Sequence, residues 1–304
     1  MTHRFRPAFV DTLEKGVFPG NVEKALAILK NCVICPRLCR VDRTAGERGI
    51  CRTGRLARVS AFHPHFGEES PLVGSHGSGT IFFTHCNLMC NFCQNWDISH
   101  EGWGEDVTDA ELADMMLALQ DRGCHNINFV TPGHVVPQIL AAVEIAASRG
   151  LNVPLVYNSG GYDRVETLRL LEGVIDIYMP DFKFWDETVA NRACRAPDYP
   201  EQARRAIIEM HRQVGDLVIG DDGLAQRGLL VRHLVLPGGL AGTREIMRFI
   251  AEKVSINTYV NVMSQYRPSG TVHEIPELSE SLTADDYHAA IRAAREEGIT
   301  RLDR

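Results

Sequence analysis

Three cysteines stand close together in Cys86-Asn87-Leu88-Met89-Cys90-Asn91-Phe92-Cys93, a C-x3-C-x2-C spacing. Thiolates are soft ligands, and three of them on one short loop can grip a single metal centre. A structural zinc site closes with four ligands, whereas a reactive site keeps a position open. Iron–sulfur clusters usually take four thiolates, so a [4Fe–4S] cluster on these three would leave one iron free. The competing reading is a zinc knuckle completed by His85 or a distant histidine. A second group, Cys32-x2-Cys35-x3-Cys39-x11-Cys51, puts four thiols within twenty residues. Four sulfurs suit tetrahedral zinc or an additional iron–sulfur cluster.

Nine cysteines is an odd number, so full internal disulfide pairing is impossible, and seven of the nine fall between Cys32 and Cys93. Such clustering reads first as metal ligation. Cys124 and Cys194 have no partner at metal spacing and read as passive small residues, Cys194 in a loop ahead of Pro197. His63-Pro64-His65 reads as a loop whose histidines do not chelate. The arginines from Arg37 to Arg58 read first as a solvated basic face, with offsetting the thiolate charge or docking a partner as the alternatives.

The elements that must position these groups are legible from Thr80 onward. Short apolar runs alternate there with amphipathic stretches, the pattern of βα units. Strands are expected at Thr80–Thr84, Asn126–Thr131, Pro154–Asn158, Ile175–Met179, Gly228–Leu236 and Asn257–Met263. Thr108 followed three residues later by Glu111 is a capping box, with Leu112, Met115, Met116 and Leu119 as the apolar face behind it. Further helices are expected at Asn21–Asn31, Val136–Ser148, Arg164–Leu171, Glu201–Val214, Thr243–Lys253 and Ala284–Glu297. A closed eight-fold barrel uses about 250 residues. The six units here therefore predict an α/β fold with a partial (β/α)6 TIM-type barrel. Residues 1–72 form a Cys-rich N-terminal metal-binding extension and 73–304 the core domain. In such barrels the chemistry sits at the C-terminal ends of the strands.

Composition narrows the class. The chain has 304 residues, 44% hydrophobic and 23% charged, with a net charge of −7. No basic excess argues for nucleic acid or an anionic membrane surface. No apolar run approaches the ~18 residues of a membrane span. The N-terminus lacks the apolar core of a signal peptide, so the expected location is cytoplasmic.

The central loop resembles the signature of the radical S-adenosylmethionine (radical SAM) superfamily. In that family three cysteines hold a [4Fe–4S] cluster and S-adenosylmethionine chelates the fourth iron. Gly67-Glu68-Glu69, Gly79-Thr80-Ile81-Phe82-Phe83, Cys93-Gln94-Asn95 and Asn158-Ser159-Gly160-Gly161-Tyr162 narrow the likeness. Asp176-Ile177-Tyr178-Met179-Pro180-Asp181-Phe182-Lys183, Arg232-His233-Leu234-Val235-Leu236-Pro237-Gly238 and Gln265-Tyr266-Arg267-Pro268 extend it. Together they are similar to the PflX-type branch, named for its likeness to pyruvate formate-lyase activating enzymes.

The resemblance implies a set of cofactor contacts. Phe92 packs near the adenine, Lys183 meets the methionine carboxylate, and Arg232 contacts S-adenosylmethionine. Asp181 shares a face with Lys183 by strand alternation and can orient it or the ligand ammonium. The superfamily's Gly-Gly-Glu is absent after the second strand, where Thr131-Pro132-Gly133-His134 stands, and His134 or loop carbonyls could substitute. Asn158 ends the third strand where activating enzymes carry an acid, so no monovalent cation site is expected. Lys183 and Arg232, read as solvated cations, are expected to serve the cofactor and contribute little to stability.

Two functions from different classes follow. One is a radical SAM enzyme that cleaves S-adenosylmethionine reductively for hydrogen abstraction, with a glycyl-radical enzyme as one implied substrate. Its partner would be a reductant such as flavodoxin or ferredoxin. The other is a non-catalytic iron–sulfur or zinc protein for electron transfer or metal handling.

Overall fold

A computed structural model describes residues 5–272 and 275–303. Nine strands form one mixed sheet: β1 Ala57–His65, β2 Ser78–Phe83, β3 Glu105–Val107, β4 Ile127–Val130, β5 Leu155–Ser159, β6 Ile177–Pro180, β7 Val218–Ile219, β8 Ala225–Leu234 and β9 Tyr259–Met263. The α-helices are α1 Ala8–Glu14, α2 Phe18–Ala27, α3 Ser70–Val73, α4 Asp109–Asp121, α5 Val136–Ser148, α6 Val165–Leu168, α7 Glu187–Cys194, α8 Tyr199–Val214, α9 Thr243–Phe249 and α10 Ala284–Glu296.

The six strands read from sequence are the six parallel ones, in the order β2-β4-β5-β6-β8-β9. Their inner and outer faces are both covered, which is why they read as nearly continuous apolar runs. β5 and β6 are buried along their whole length. The expected partial barrel is thus an α/β fold with a mixed sheet. α4 begins on the Thr108–Glu111 capping box, whose two reciprocal hydrogen bonds are both made. Leu112, Met116 and Leu119 of α4 are fully buried, and Met115 is partly buried.

The segment before residue 73 departs from its reading. β1 runs antiparallel to β2, with His63 opposite Thr80 and His65 opposite Ser78, so His63-Pro64-His65 is strand and not loop. β3 pairs with β1 in turn and extends the sheet on that side. Pro64 and the histidines hid this strand, because proline is tolerated only where the ladder does not need its missing N–H. α1 lies against the far end of the barrel: the Ala8 amide donates to Asp176 Oδ1 at 2.9 Å and the Thr12 hydroxyl to the Gly173 carbonyl at 2.6 Å. No helix among the described residues is long and apolar enough to cross a membrane.

Candidate functional site

The loop leaving β2 carries Cys86, Cys90 and Cys93. It folds back on itself through His85 and Met89, which adopt left-handed backbone angles (φ 70° and 57°) that non-glycine residues rarely take. Cys86 Sγ accepts from the Leu88 amide at 3.3 Å, and Cys93 Sγ accepts from the Ser99 hydroxyl at 3.2 Å. Burial pushes the Cys86 thiol up to about 12 and holds Cys93 above its ordinary range. Cys90 is raised by the thiol of Cys194, which stands 3.2 Å away, and by burial, while Lys183 acts in the opposite direction. Such thiols stay protonated until a cation draws the proton off, which is what a metal does to a coordinating thiol.

Cys194 corrects the sequence reading. It is the last residue of α7 and buried against the loop, not in a connection. Arg37 fixes this junction by donating to the carbonyls of Asn87, Leu88, Cys194 and Arg195. The Asn91 amide adds a bond to the Ala193 carbonyl at 2.9 Å. Phe92 is buried, its ring edge-on to Phe184 at 5.8 Å and beside Tyr266 at 6.2 Å.

Beside the loop, the ends of β6 and β8 bring Asp181, Lys183 and Arg232 together. Asp181 accepts from Lys183 Nζ on one oxygen and from Arg232 Nε at 2.9 Å on the other. Arg232 Nη1 lies 3.9 Å from both Glu68 Oε2 and Glu69 Oε1. Burial pushes Asp181 upward, but Arg232 and Lys183 outweigh it and hold the carboxyl below its usual range. Lys183 is desolvated too, yet Asp181 and Cys90 hold its ammonium more firmly charged than usual. These cations are not solvated, as sequence suggested: the side chains of Lys183 and Arg232 are only 16% and 20% exposed. Gly161 permits the arrangement, because at its φ of 76° a Cβ would strike the Asp181 carbonyl.

A cavity of about 900 Å³ fills the concave side of the sheet, at the upper end of the range for small-molecule sites. Its lining takes Phe82 from β2, Val130 from β4, Asn158 from β5, Arg232 from β8 and Asn261 from β9. Glu68, Glu69, His63 and His65 complete it from the β1 side and were not read as site residues. Gly67-Glu68-Glu69 entered only through the family likeness, because adjacent carboxylates carry no chemistry without knowing where β1 lies. Burial pushes Glu68 up to about 7 against the pull of Arg232, with Glu69 adding repulsion. Glu69 accepts from Asn261 Nδ2 at 3.0 Å, while its second oxygen is buried without a partner.

His134 is fully buried and does not line this cavity. Its Nε2 pairs with the Thr84 carbonyl at 3.0 Å, its own carbonyl accepts from Arg43, and burial lowers it to about 3. His233 is likewise internal, bonded to the Phe182 carbonyl and Thr243 hydroxyl.

Cys32, Cys35 and Cys39 lie on a tight turn held by Cys32 N to Val41 O and Arg40 N to Cys32 O, both 2.9 Å, and Cys51 follows it in the chain. Burial and the neighbouring Cys51 push Cys35 well above its ordinary range, and burial raises Cys51. Arg43 is not part of a solvated face. It is 1% exposed, donates to the carbonyls of Gly54 and His134, and points Nη1 at Cys32 Sγ at 3.9 Å, while Nη2 is buried without a partner. A buried guanidinium with no carboxylate beside it suits a site whose thiols are ionised. Among the described residues no three His, Cys, Asp or Glu side chains converge closely enough to hold a single ion.

The Radical SAM superfamily model matches residues 80–224, from β2 through the cysteine loop to the turn before β8. An uncharacterised protein of Methanocaldococcus jannaschii, MJ0674, is 35% identical over 282 residues, covering 90% of this chain and 77% of that protein. A radical SAM methyltransferase from Sphaerobacter thermophilus aligns with a TM-score of 0.49 at 14% identity, over 73% of this chain and 64% of its own.

Proposed function

This chain belongs to the radical SAM superfamily, and on that footing we propose that it is an enzyme in which a [4Fe–4S] cluster, loaded with S-adenosylmethionine and given one electron, supplies a 5′-deoxyadenosyl radical for hydrogen abstraction. The observation that carries this reading is the proximity of two groups, joined to the barrel cavity through Arg232. One is the three-thiol loop; the other is the buried Lys183–Asp181–Arg232 network, with Lys183 acting on Cys90.

The residues present fit the cofactors. Cys86, Cys90 and Cys93 would supply three thiolates, one fewer than a closed cluster uses. Lys183 sits where it offsets the charge of Cys90 and can bind a carboxylate, with Asp181 fixing its direction. Arg232 offers a guanidinium toward the cavity while staying neutralised by Asp181, Glu68 and Glu69. Phe92, wedged between Phe184 and Tyr266, gives a rigid apolar surface for a base. Asn158 adds a neutral amide to the cavity wall. The aromatic and aliphatic packing around the loop keeps water from a reactive carbon.

The finer reading is a PflX-type enzyme that takes the hydrogen from a backbone glycine of a glycyl-radical enzyme. It rests on the sequence resemblance. The N-terminal thiols would hold a metal of their own, zinc or a second iron–sulfur cluster. The buried, partly unpartnered Arg43 beside Cys32 supports ionised sulfurs there.

Anaerobic reconstitution with iron and sulfide, then S-adenosylmethionine and dithionite, tests the central claim. 5′-Deoxyadenosine should form, and Cys86→Ala, Cys90→Ala or Cys93→Ala should each abolish it. Continued formation by the triple variant refutes the assignment of these cysteines, and no formation by the reconstituted wild type favours an iron–sulfur or zinc protein for electron transfer or metal handling.

A further inference from the structure

A second pocket, of about 460 Å³, lies on the outer side of the cysteine loop, and the barrel cavity shares none of its lining residues. Arg37, Arg52, Arg192 and Arg195 line it, together with Met89 of the loop and Cys194. No Asp or Glu does. In a chain of net charge −7 this is a local reversal of sign.

Among the described residues most of that charge is uncompensated. Arg192 pairs with Glu277 through contacts of 2.9 and 3.1 Å. Arg37 spends its donors on carbonyls, which satisfies its hydrogen bonds and leaves its charge. Arg52 donates to the His100 carbonyl at 3.0 Å, and neither Arg52 nor Arg195 has an ion-pair partner among the described residues. Arg52, Met89 and Arg195 also share left-handed backbone angles, φ 54°, 57° and 49°. Non-glycine residues held in that region cost energy and gather at functional sites.

The pocket reaches the redox centre by the shortest chemistry available. Cys194 lines it, and Cys194 Sγ is 3.2 Å from Cys90 Sγ. The proposed reaction consumes one electron per cleavage, and cofactor and substrate fill the barrel cavity while it happens. The outer pocket offers the electron a separate approach through Cys194. Resting on the reading of Cys86, Cys90 and Cys93 as cluster ligands, we infer that this arginine-lined pocket is the docking face for an acidic protein carrying a one-electron redox centre. The donor loses one electron and the cluster gains it; no bond forms or breaks. Arg37 holds the face in shape, and Arg52 and Arg195 supply free charge that steers the encounter.

The test compares two reductants on the reconstituted full-length protein. Reduced flavodoxin, an acidic flavoprotein, reports docking. Photoreduced 5-deazariboflavin, small and uncharged, reports the cluster alone. Stopped-flow absorbance should show the flavodoxin rate falling with added salt, and falling about tenfold or more in an Arg52→Glu/Arg195→Glu variant. The deazaflavin rate should stay at the wild-type value. An Arg52→Gln/Arg195→Gln variant should give intermediate slowing, and it serves if the charge-reversed protein fails to fold. Equal flavodoxin rates in wild type and variants overturn the proposal. So does a wild-type protein that deazaflavin reduces and flavodoxin does not. A wild-type protein that neither reductant reduces removes the cluster reading itself, and this proposal with it.

Discussion

The thiol of Cys194 approaches the thiol of Cys90 to 3.2 Å, from the end of a helix that begins nearly a hundred residues downstream. Hydrogen bonds to cluster sulfurs raise the reduction potential, because they stabilise the more negative reduced state. A net hydrogen bond of about 0.5–1.5 kcal/mol corresponds to roughly 20–60 mV for one electron. Cys194→Ala should therefore keep its iron content and shift the cluster potential negative by about that amount, measured by redox titration with electron paramagnetic resonance. An unchanged potential would show that the contact does not act on the cluster.

Arg232 is the nearest guanidinium to three carboxylates, Asp181, Glu68 and Glu69. Removing one partner of a buried ion pair typically costs about 3–5 kcal/mol, because the other charge is left uncompensated. Arg232→Ala should thus lower the melting temperature of the metal-free protein as well as weaken S-adenosylmethionine binding. Adding Glu69→Gln should restore part of the stability without restoring affinity, because Asp181 keeps Lys183 while Glu68 and Glu69 lose their cation. A single variant that melts like wild type would mean that the network contributes nothing to the fold.

The parallel strands were legible because each is an apolar run bounded by turn residues, and α5 matches its reading at both ends, Val136 and Ser148. The cysteine loop was legible because its ligands are adjacent in sequence. What stayed hidden depends on contacts between distant segments. β1 carries Arg58, His63 and Pro64, so neither alternation nor apolarity marks it. α7 is short, and although Asp186 caps it through the Val189 amide, nothing local says that Cys194 ends beside Cys90. The burial of Arg43 is set by carbonyls of Gly54 and His134, the latter contributed by the turn after β4. Charge patterning cannot separate that arginine from its solvated neighbours.

The N-terminal thiols should bind metal independently of the central loop. In a Cys86→Ala/Cys90→Ala/Cys93→Ala variant, elemental analysis should find about one zinc and little iron if the site is tetrahedral zinc. It should find about four irons, with a visible charge-transfer band, if the site is a second cluster. Arg43→Met should weaken retention of either, since it removes the buried cation beside Cys32. A triple variant without zinc or iron would leave these cysteines as reduced thiols.

Asp176 ties the first helix to the barrel and should make stability depend on pH. Its carboxyl is buried and accepts from the Ala8 amide at 2.9 Å and the Leu155 amide at 3.0 Å. Burial outweighs both bonds and raises it from its ordinary 3.8 to about 7. In the unfolded chain the proton leaves near 3.8; in the folded chain it stays on until about 7. Between these values the folded state binds more protons, so stability falls as pH rises. The contribution is fully present below about pH 4, is lost progressively up to about pH 7 and is flat above, on the order of 4 kcal/mol in all. Glu68, also raised to about 7, acts in the same direction, so the informative quantity is a difference between variants. Asp176→Asn cannot ionise and should flatten its own share of the slope. Urea unfolding of the metal-free protein at pH 5 and pH 8 should show wild type losing more stability between them than the variant. Hydrogen exchange at Ala8 should accelerate with pH in wild type beyond the intrinsic rate. Parallel pH profiles for the two proteins would mean that Asp176 ionises at its ordinary value and does not couple stability to pH.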